Sequence, residues 1–290
     1  MIVLTSHRTS GAIALAAAFI TTVAGCAPPL SEDADDDALM EEDVDTAESA
    51  LLAENALNWN AINWNALNWN AINWNALNWN GLLPEARARL QSTGSDGELA
   101  RHAMRYVVSC ALPSTASFDF SWTDEDGVAH AESYPGLMAL APQWQNAPIM
   151  EDEARWVSSC LISRVNLYGV SVLLSSRSWH RELWQMSSEE AGTFNHQEGA
   201  FWGNLFTNPP TAFACYDQHG VAYARQRQRA CAAGHVNDQG AIESCGMIQI
   251  VGSCQHHCVS NGDSLGFWGG CTSSAPRPSY SFNVITVFLD

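Results

Sequence analysis

The pattern of hydrophobic and polar residues predicts regular structure in the second two thirds of the chain. Apolar residues recur at helical spacing over 84–92, 97–111 and 150–167, which predicts three helices. Short apolar or alternating runs predict strands at 116–122, 169–176, 247–253 and 283–289. Because these elements are mixed along the chain without a regular strand-helix alternation, we expect a single α+β domain over residues 84–290.

Cysteines are concentrated in this predicted domain. It contains eight of them, and an even number in an exported chain indicates as many as four disulfides. They are Cys110, Cys160, Cys215, Cys231, Cys245, Cys254, Cys258 and Cys271. Cys110 and Cys160 end similar phrases (RYVVSC and RWVSSC) on predicted helices, so we expect these two to pair. The partners of the other six stay open, and we expect disulfides rather than a large core to hold residues 208–290.

The first 25 residues have the layout of an export signal. Arg8 precedes an apolar run over 11–23, which is too short to span a bilayer. The following Val23-Ala24-Gly25-Cys26 resembles the lipobox that lipoprotein signal peptidase reads. The resemblance implies that Cys26 becomes the lipid-bearing N-terminus of a bacterial lipoprotein, anchored stably by two or more acyl chains. Ala27 after the cysteine, where an aspartate can retain lipoproteins at the inner membrane, favours the outer membrane.

Residues 26–55 form an acidic segment. Between 27 and 54 the sequence has eleven acidic residues and no basic one, so repulsion should keep it extended as a solvated tether. The whole chain has a net charge of −18, which opposes binding to nucleic acid phosphates, and we expect no nucleic-acid partner. The chain also has no lysine, which excludes Schiff-base and Ser-Lys chemistry.

Residues 56–80 consist of five copies of Ala-Leu/Ile-Asn-Trp-Asn. A spacing of five places the tryptophans on one face of neither a helix nor a strand, so we predict an exposed, weakly structured linker. Two other interpretations remain open. The indole faces could stack on sugars, or the repeated Trp-Asn units could be substrates of a peptide-crosslinking enzyme.

Two His-x-Glu phrases are candidates for acid-base chemistry. His180 precedes Glu182 by two residues, and His196 has the same spacing to Glu198. Either pair would supply an imidazole and a carboxylate, the groups used in general acid-base catalysis. Two residues are a small signal, and the competing interpretation is that they are ordinary surface or core residues.

A metal site and a nucleophilic serine are the other candidates. His256 and His257 lie between Cys254 and Cys258, a frame that could bind a metal if the cysteines were reduced. Ser264 lies in Gly-Asp-Ser-Leu-Gly, which matches a hydrolase elbow, but no histidine follows His257 to activate it. We therefore expect no cofactor and favour a non-enzymatic protein.

Several phrases of the domain resemble uncharacterised secreted proteins of myxobacteria. They are YVVSCALP at 106–113, WVSSCLISRVN at 156–166 and EGAFWGNLF at 198–206. The resemblance implies an envelope location but brings no activity. We expect a lipid-anchored protein with a binding or structural role at the cell surface, whose partners are the membrane and either envelope polysaccharide or surface proteins. The alternative is a secreted hydrolase of glycan or peptide.

The lipid anchor gives the first testable prediction. Intact mass of the protein purified from bacterial membranes should show loss of residues 1–25 and an added acyl mass on Cys26. A Cys26→Ser variant should move to the soluble envelope fraction, because the acyl chains supply the membrane affinity. Membrane retention of the Cys26→Ser variant would contradict the anchor.

Overall fold

The computed structural model describes residues 52–53, 57–58, 75–229, 231–237, 239–260, 266–274 and 280–290. All of them belong to the unit Asp45–Asp290. The predicted signal peptide, Cys26, Ser264 and most of the acidic segment lie outside the described residues. The helices are α1 (Pro84–Gln91), α2 (Gly94–Ala111), α3 (Glu151–Ser163), α4 (Ser188–Thr193), α5 (Val221–Gln226) and α6 (Cys254–His257). None of the helices in the described residues is long and apolar enough to cross a membrane.

The strands form one six-stranded sheet and four two-stranded ones. The strands are β1 (Leu52–Ala53), β2 (Leu57–Asn58), β3 (Ser117–Thr123), β4 (Ala129–Pro135), β5 (Val165–Asn166), β6 (Leu174–Arg177), β7 (His196–Asn204), β8 (Thr211–Tyr216), β9 (His235–Val236), β10 (Ile242–Glu243), β11 (Gln249–Ser253), β12 (Cys258–Ser260), β13 (Trp268–Cys271) and β14 (Ile285–Leu289). The large sheet has the order β1-β6-β14-β7-β8-β11, antiparallel except for the parallel pair β8 and β11. The domain is therefore α+β, as the sequence predicts.

Helix α3 packs across the middle of this sheet, against β7, β8 and β14. Nine of its residues from Ala154 onward form the buried face. The Ser158 hydroxyl accepts a hydrogen bond from the Leu205 backbone (2.9 Å), and the Ser159 hydroxyl donates to the Asn283 carbonyl (2.7 Å). These bonds fix the helix on the sheet.

Helix α2 packs against α1 and α3, and a disulfide joins it to α3. This is Cys110–Cys160, the pair that the similar phrases predict, and both sulfurs are fully buried. Helix α3 ends at Ser163, earlier than the predicted residue 167, because the chain continues as β5 in parallel pairing with β2. The β3–β4 hairpin covers α1 and α2.

The central strand β7 was not predicted from the sequence. Its residues from Glu198 to Asn204 are all buried, so the strand lacks the alternation that marks a half-exposed one. It also contains Gly199, a residue type depleted in strands. A Cβ at Gly199 would lie 2.2 Å from the Cys215 carbonyl oxygen, so the close approach of β8 requires glycine there.

The three remaining disulfides all lie after residue 214. Cys215–Cys254 joins β8 to α6, Cys258–Cys271 joins β12 to β13, and Cys231–Cys245 closes the segment that contains β9. The sulfurs of Cys215, Cys254, Cys258 and Cys271 belong to a small separate core with Trp202 and Val284. Disulfides thus hold the part of residues 208–290 that contains α6, β12 and β13. Strands β8 and β14, which flank β7 in the large sheet, join the same residues to a substantial hydrophobic core.

The last copy of the repeat belongs to the domain and is not an exposed linker. Leu77 is fully buried, and its backbone N–H donates to the Trp144 carbonyl (2.6 Å). The Asn78 side chain donates to the Gln145 carbonyl (2.8 Å), and the Trp79 ring stacks on Phe120 at 5.5 Å. Residues 57–58 of the first copy form β2, whereas residues 59–74 of the repeat lie outside the described residues.

Gly81 distinguishes the last copy from the other four, each of which is followed by alanine. A Cβ at Gly81 would lie 2.3 Å from the Ala76 carbonyl oxygen. The turn that places Leu77 in the core therefore requires glycine at position 81, and of the five copies only the last is followed by glycine.

This gives a stability prediction. Gly81→Ala should lower the free energy of unfolding by about 2 kcal/mol, because the backbone must shift to relieve the overlap. Gly192→Ala is the matched control, since Gly192 lies in α4 with no heavy atom within 4 Å of an added Cβ, and it should be neutral or slightly stabilising. Urea unfolding measures both, and equal stability of the two variants would contradict the proposed turn.

Candidate functional site

An open groove lies where the start of α3 meets the hairpin β12–β13 and the segment before β14. Its volume is about 570 Å³. The residues that line it are Asp152, Trp156, Trp179, Val259, Ser260, Gly269, Phe282 and Asn283. Trp179 is 40% exposed and Phe282 is 65% exposed, so two aromatic faces are available to a ligand. We call this site the aromatic groove.

The floor of the aromatic groove is held by hydrogen bonds between α3 and the segment before β14. The Asn283 side-chain amide donates to Asp152 Oδ1 (2.9 Å). The Asn283 carbonyl accepts from Ser159 two turns further along the helix. Because Asn283 is 8% exposed and held at both its side chain and its backbone, the Asp152 carboxylate is held in place beside the aromatic rings.

The aromatic wall rests on a buried phenylalanine. The Trp179 ring lies 4.5 Å from Trp184 and 5.3 Å from Phe267, between ring centroids. Phe267 is 1% exposed, whereas Trp184 is 37% exposed. Tilted and edge-to-face contacts of this kind fix ring orientation while leaving one face open. Trp179 is therefore a held platform rather than a freely rotating surface side chain.

The His180 ring meets Trp156, a lining residue of the aromatic groove, edge to face at 5.1 Å. Burial lowers the pKa of the His180 imidazole, while the charges of Glu182 and Asp152 oppose that shift. The ring is consequently neutral at pH 7. His180 Nδ1 accepts a hydrogen bond from the Glu182 backbone N–H (3.3 Å), which leaves Nε2 as the protonated nitrogen.

The structure separates the roles of His196 and Glu198. Glu198 is 1% exposed, and its carboxylate binds the Arg229 Nε at 2.5 Å. Arg229 is fully buried and also donates to the carbonyls of Val165 and Ser163. Burial raises the pKa of Glu198, and the Arg229 guanidinium opposes that shift. A substrate has no access to this carboxylate, whose contacts give it a structural role.

His196 lies on the outer end of the same strand. It is exposed, and its ring stacks on Tyr223 with centroids 3.8 Å apart. Neither His196 nor Glu198 lines the aromatic groove. The phrase that contains them therefore supplies one packed surface histidine and one buried ion pair instead of a joint acid-base site.

Within the described part of the chain, neither of the candidate metal ligands His256 and His257 belongs to a group of three or more metal-ligating side chains. His256 is exposed on α6, and His257 Nδ1 lies 3.1 Å from the Thr272 carbonyl oxygen. In the described part of the chain, one group of three metal-ligating atoms lies within 4.8 Å, formed by Cys215, Cys254 and Cys258. All three are in disulfides, and metals bind the free thiolate.

Comparison with known proteins finds no family model, no curated protein and no solved structure that matches this chain. The aromatic groove therefore has to be interpreted from its own chemistry. None of its lining residues was singled out from the sequence. The signal that could have found part of it is the phrase Ser-Trp-His-Arg-Glu-Leu-Trp at 178–184, where two tryptophans flank charged residues.

The role of Glu198 can be tested by an isosteric change. Glu198→Gln should lower the free energy of unfolding by about 3 kcal/mol, because it leaves the Arg229 charge buried without its counter-ion. Glu151→Gln is the control, because it breaks the exposed pair of Glu151 with Arg155, and it should cost less than about 1 kcal/mol. Chemical denaturation measures both, and an unchanged stability of Glu198→Gln would contradict the structural role.

Proposed function

We propose that this protein is a lipid-anchored protein of the cell envelope that binds a glycan in the aromatic groove and does not cleave it. The observation that carries the proposal is the pair of exposed aromatic faces, Trp179 and Phe282, beside fixed polar groups of Asp152 and Asn283. Sugar rings stack their C–H faces on aromatic rings and hydrogen-bond their hydroxyls to carboxylates and amides. The groove offers both kinds of contact along one open surface.

Charge narrows the glycan class to neutral sugars. Asp152 is the only charged residue among the described residues that line the groove. The chain as a whole has a net charge of −18. An acidic or sulfated glycan would be repelled by both, whereas a neutral one would meet a carboxylate that accepts hydrogen bonds from its hydroxyls.

The groove favours binding over hydrolysis. Glycoside hydrolysis ordinarily uses two carboxyl groups on opposite sides of the scissile bond. Among the described residues at the groove, Asp152 is the one carboxylate, and one of its oxygens already accepts from Asn283. His180 and Glu182 are not among the lining residues.

The test is calorimetric titration of the purified protein with soluble oligosaccharides of glucose, of N-acetylglucosamine and of a uronic acid. A neutral series should bind, and Trp179→Ala should weaken it about tenfold, because a stacked aromatic face contributes about 1.4 kcal/mol. Tyr168→Ala is the control, since Tyr168 is 44% exposed and outside the groove. Circular dichroism verifies that each variant is folded.

Three outcomes would count against the proposal. The first is that no neutral series binds. The second is an equal loss in Trp179→Ala and Tyr168→Ala, which would place the binding elsewhere. The third is a rise in reducing ends during incubation, which would replace binding by hydrolysis.

A further inference from the structure

Two of the disulfides touch each other inside the small cysteine core. Cys254 is the first residue of the single-turn helix α6, and Cys258 directly follows that helix. This turn therefore carries one sulfur of each disulfide, since Cys254 is bonded to Cys215 and Cys258 to Cys271. Cys215 Sγ lies 3.4 Å from Cys258 Sγ, at van der Waals contact. Cys254 Sγ lies within 4.8 Å of both.

The surroundings keep these sulfurs close to one another and leave only Cys258 with some contact to solvent. Cys215, Cys254 and Cys271 are fully buried, and Cys258 is 4% exposed. A thiol freed at Cys258 would thus have the Cys215–Cys254 bond as its nearest electrophile. Thiol-disulfide exchange proceeds by attack of a thiolate on a disulfide sulfur, and contact between the two sulfurs places the nucleophile within reach of its electrophile.

We propose that Cys215, Cys254, Cys258 and Cys271 form a thiol-disulfide exchange site. In the exchange step, the Cys258 thiolate attacks Cys215 Sγ. A Cys258–Cys215 bond forms, the Cys215–Cys254 bond breaks, and the electron pair goes to Cys254 as a thiolate, which takes up the proton that Cys258 lost. The step has no net oxidation or reduction.

In the intact protein, an external dithiol starts this series of reactions. It reduces Cys258–Cys271 to two thiols and is itself oxidised to a disulfide. After the exchange step, the free thiols are those of Cys254 and Cys271. Cys258 of β12 is then disulfide-bonded to Cys215 of the sheet strand β8 and no longer to Cys271 of its hairpin partner β13.

This movement reaches the aromatic groove. Val259 and Ser260 of β12 and Gly269 of β13 line it, and Cys258–Cys271 is the covalent link between these two strands. Exchange therefore removes the disulfide between these two strands of the groove and links β12 to β8 of the large sheet. The exchange site itself is independent of what the groove binds.

The experiment uses a Cys271→Ser variant of the full chain, in which Cys258 loses its partner without added reductant. The folded protein is alkylated, digested and mapped by tandem mass spectrometry, with fragments between 254 and 258 locating the label. At least about a tenth of the label should be on Cys254, with a matching Cys215–Cys258 cross-linked peptide, since a tenfold ratio is about 1.4 kcal/mol. Label on Cys258 alone would overturn the proposal.

The matched control is Cys245→Ser, which frees Cys231 from a disulfide outside this sulfur group. Its label should remain on Cys231. Limited treatment of the unmodified protein with dithiothreitol, followed by the same mapping, covers the case in which Cys271→Ser does not fold. Label on Cys254 and Cys271 together with a Cys215–Cys258 cross-link supports the exchange. Label on the Cys258 and Cys271 pair without that cross-link overturns it.

Discussion

The packing of α3 across the large sheet is the interaction on which the rest of the structure depends. Its buried face supplies Cys160 to the disulfide with α2, and its serine hydroxyls bind backbone groups that adjoin β7 and β14. The first two turns of the same helix present Asp152 and Trp156 to the aromatic groove. The groove is therefore a direct product of core packing, and any shift of α3 would move its floor together with the sheet. Such a rigid support reduces the ordering that a ligand must impose on binding.

The sequence predicts the elements that have an apolar helical face or that form a short apolar or alternating run. Helices α1, α2 and α3 and strands β3, β11 and β14 were predicted within a few residues, because one face of each helix is apolar or each strand forms a short apolar run. Strand β7 was not, because its buried positions include Glu198, whose charge is matched by Arg229 more than thirty residues later. Local pattern carries no information about such a partner. The burial of Leu77 was also not predicted, because the five repeat copies look equivalent in sequence. Only the structure shows that an added Cβ at Gly81 would overlap the Ala76 carbonyl oxygen.

The candidate site is less visible in the sequence than the fold. The similar phrases that end at Cys110 and Cys160 predict one disulfide, but the sequence does not show that the disulfides of Cys215 and Cys258 touch. The groove combines residues that are more than a hundred positions apart, such as Asp152 and Phe282, and no motif joins them. The His-x-Glu phrases drew attention for their chemistry, yet burial decides their role. An acidic segment and a lipid at Cys26 would place this groove at a distance from the membrane, where a long envelope glycan can reach it.

The central claim, that the aromatic groove binds a neutral glycan, is tested most directly by nuclear magnetic resonance of the indole N–H groups. Single Trp→Phe variants of the ¹⁵N-labelled protein assign the signals. Addition of a neutral oligosaccharide should shift the indole signals of Trp179 and Trp156 and leave those of the buried Trp144 and Trp202 unchanged. Absence of any shift, or shifts confined to the tryptophans of the repeat over 56–80, would contradict the claim.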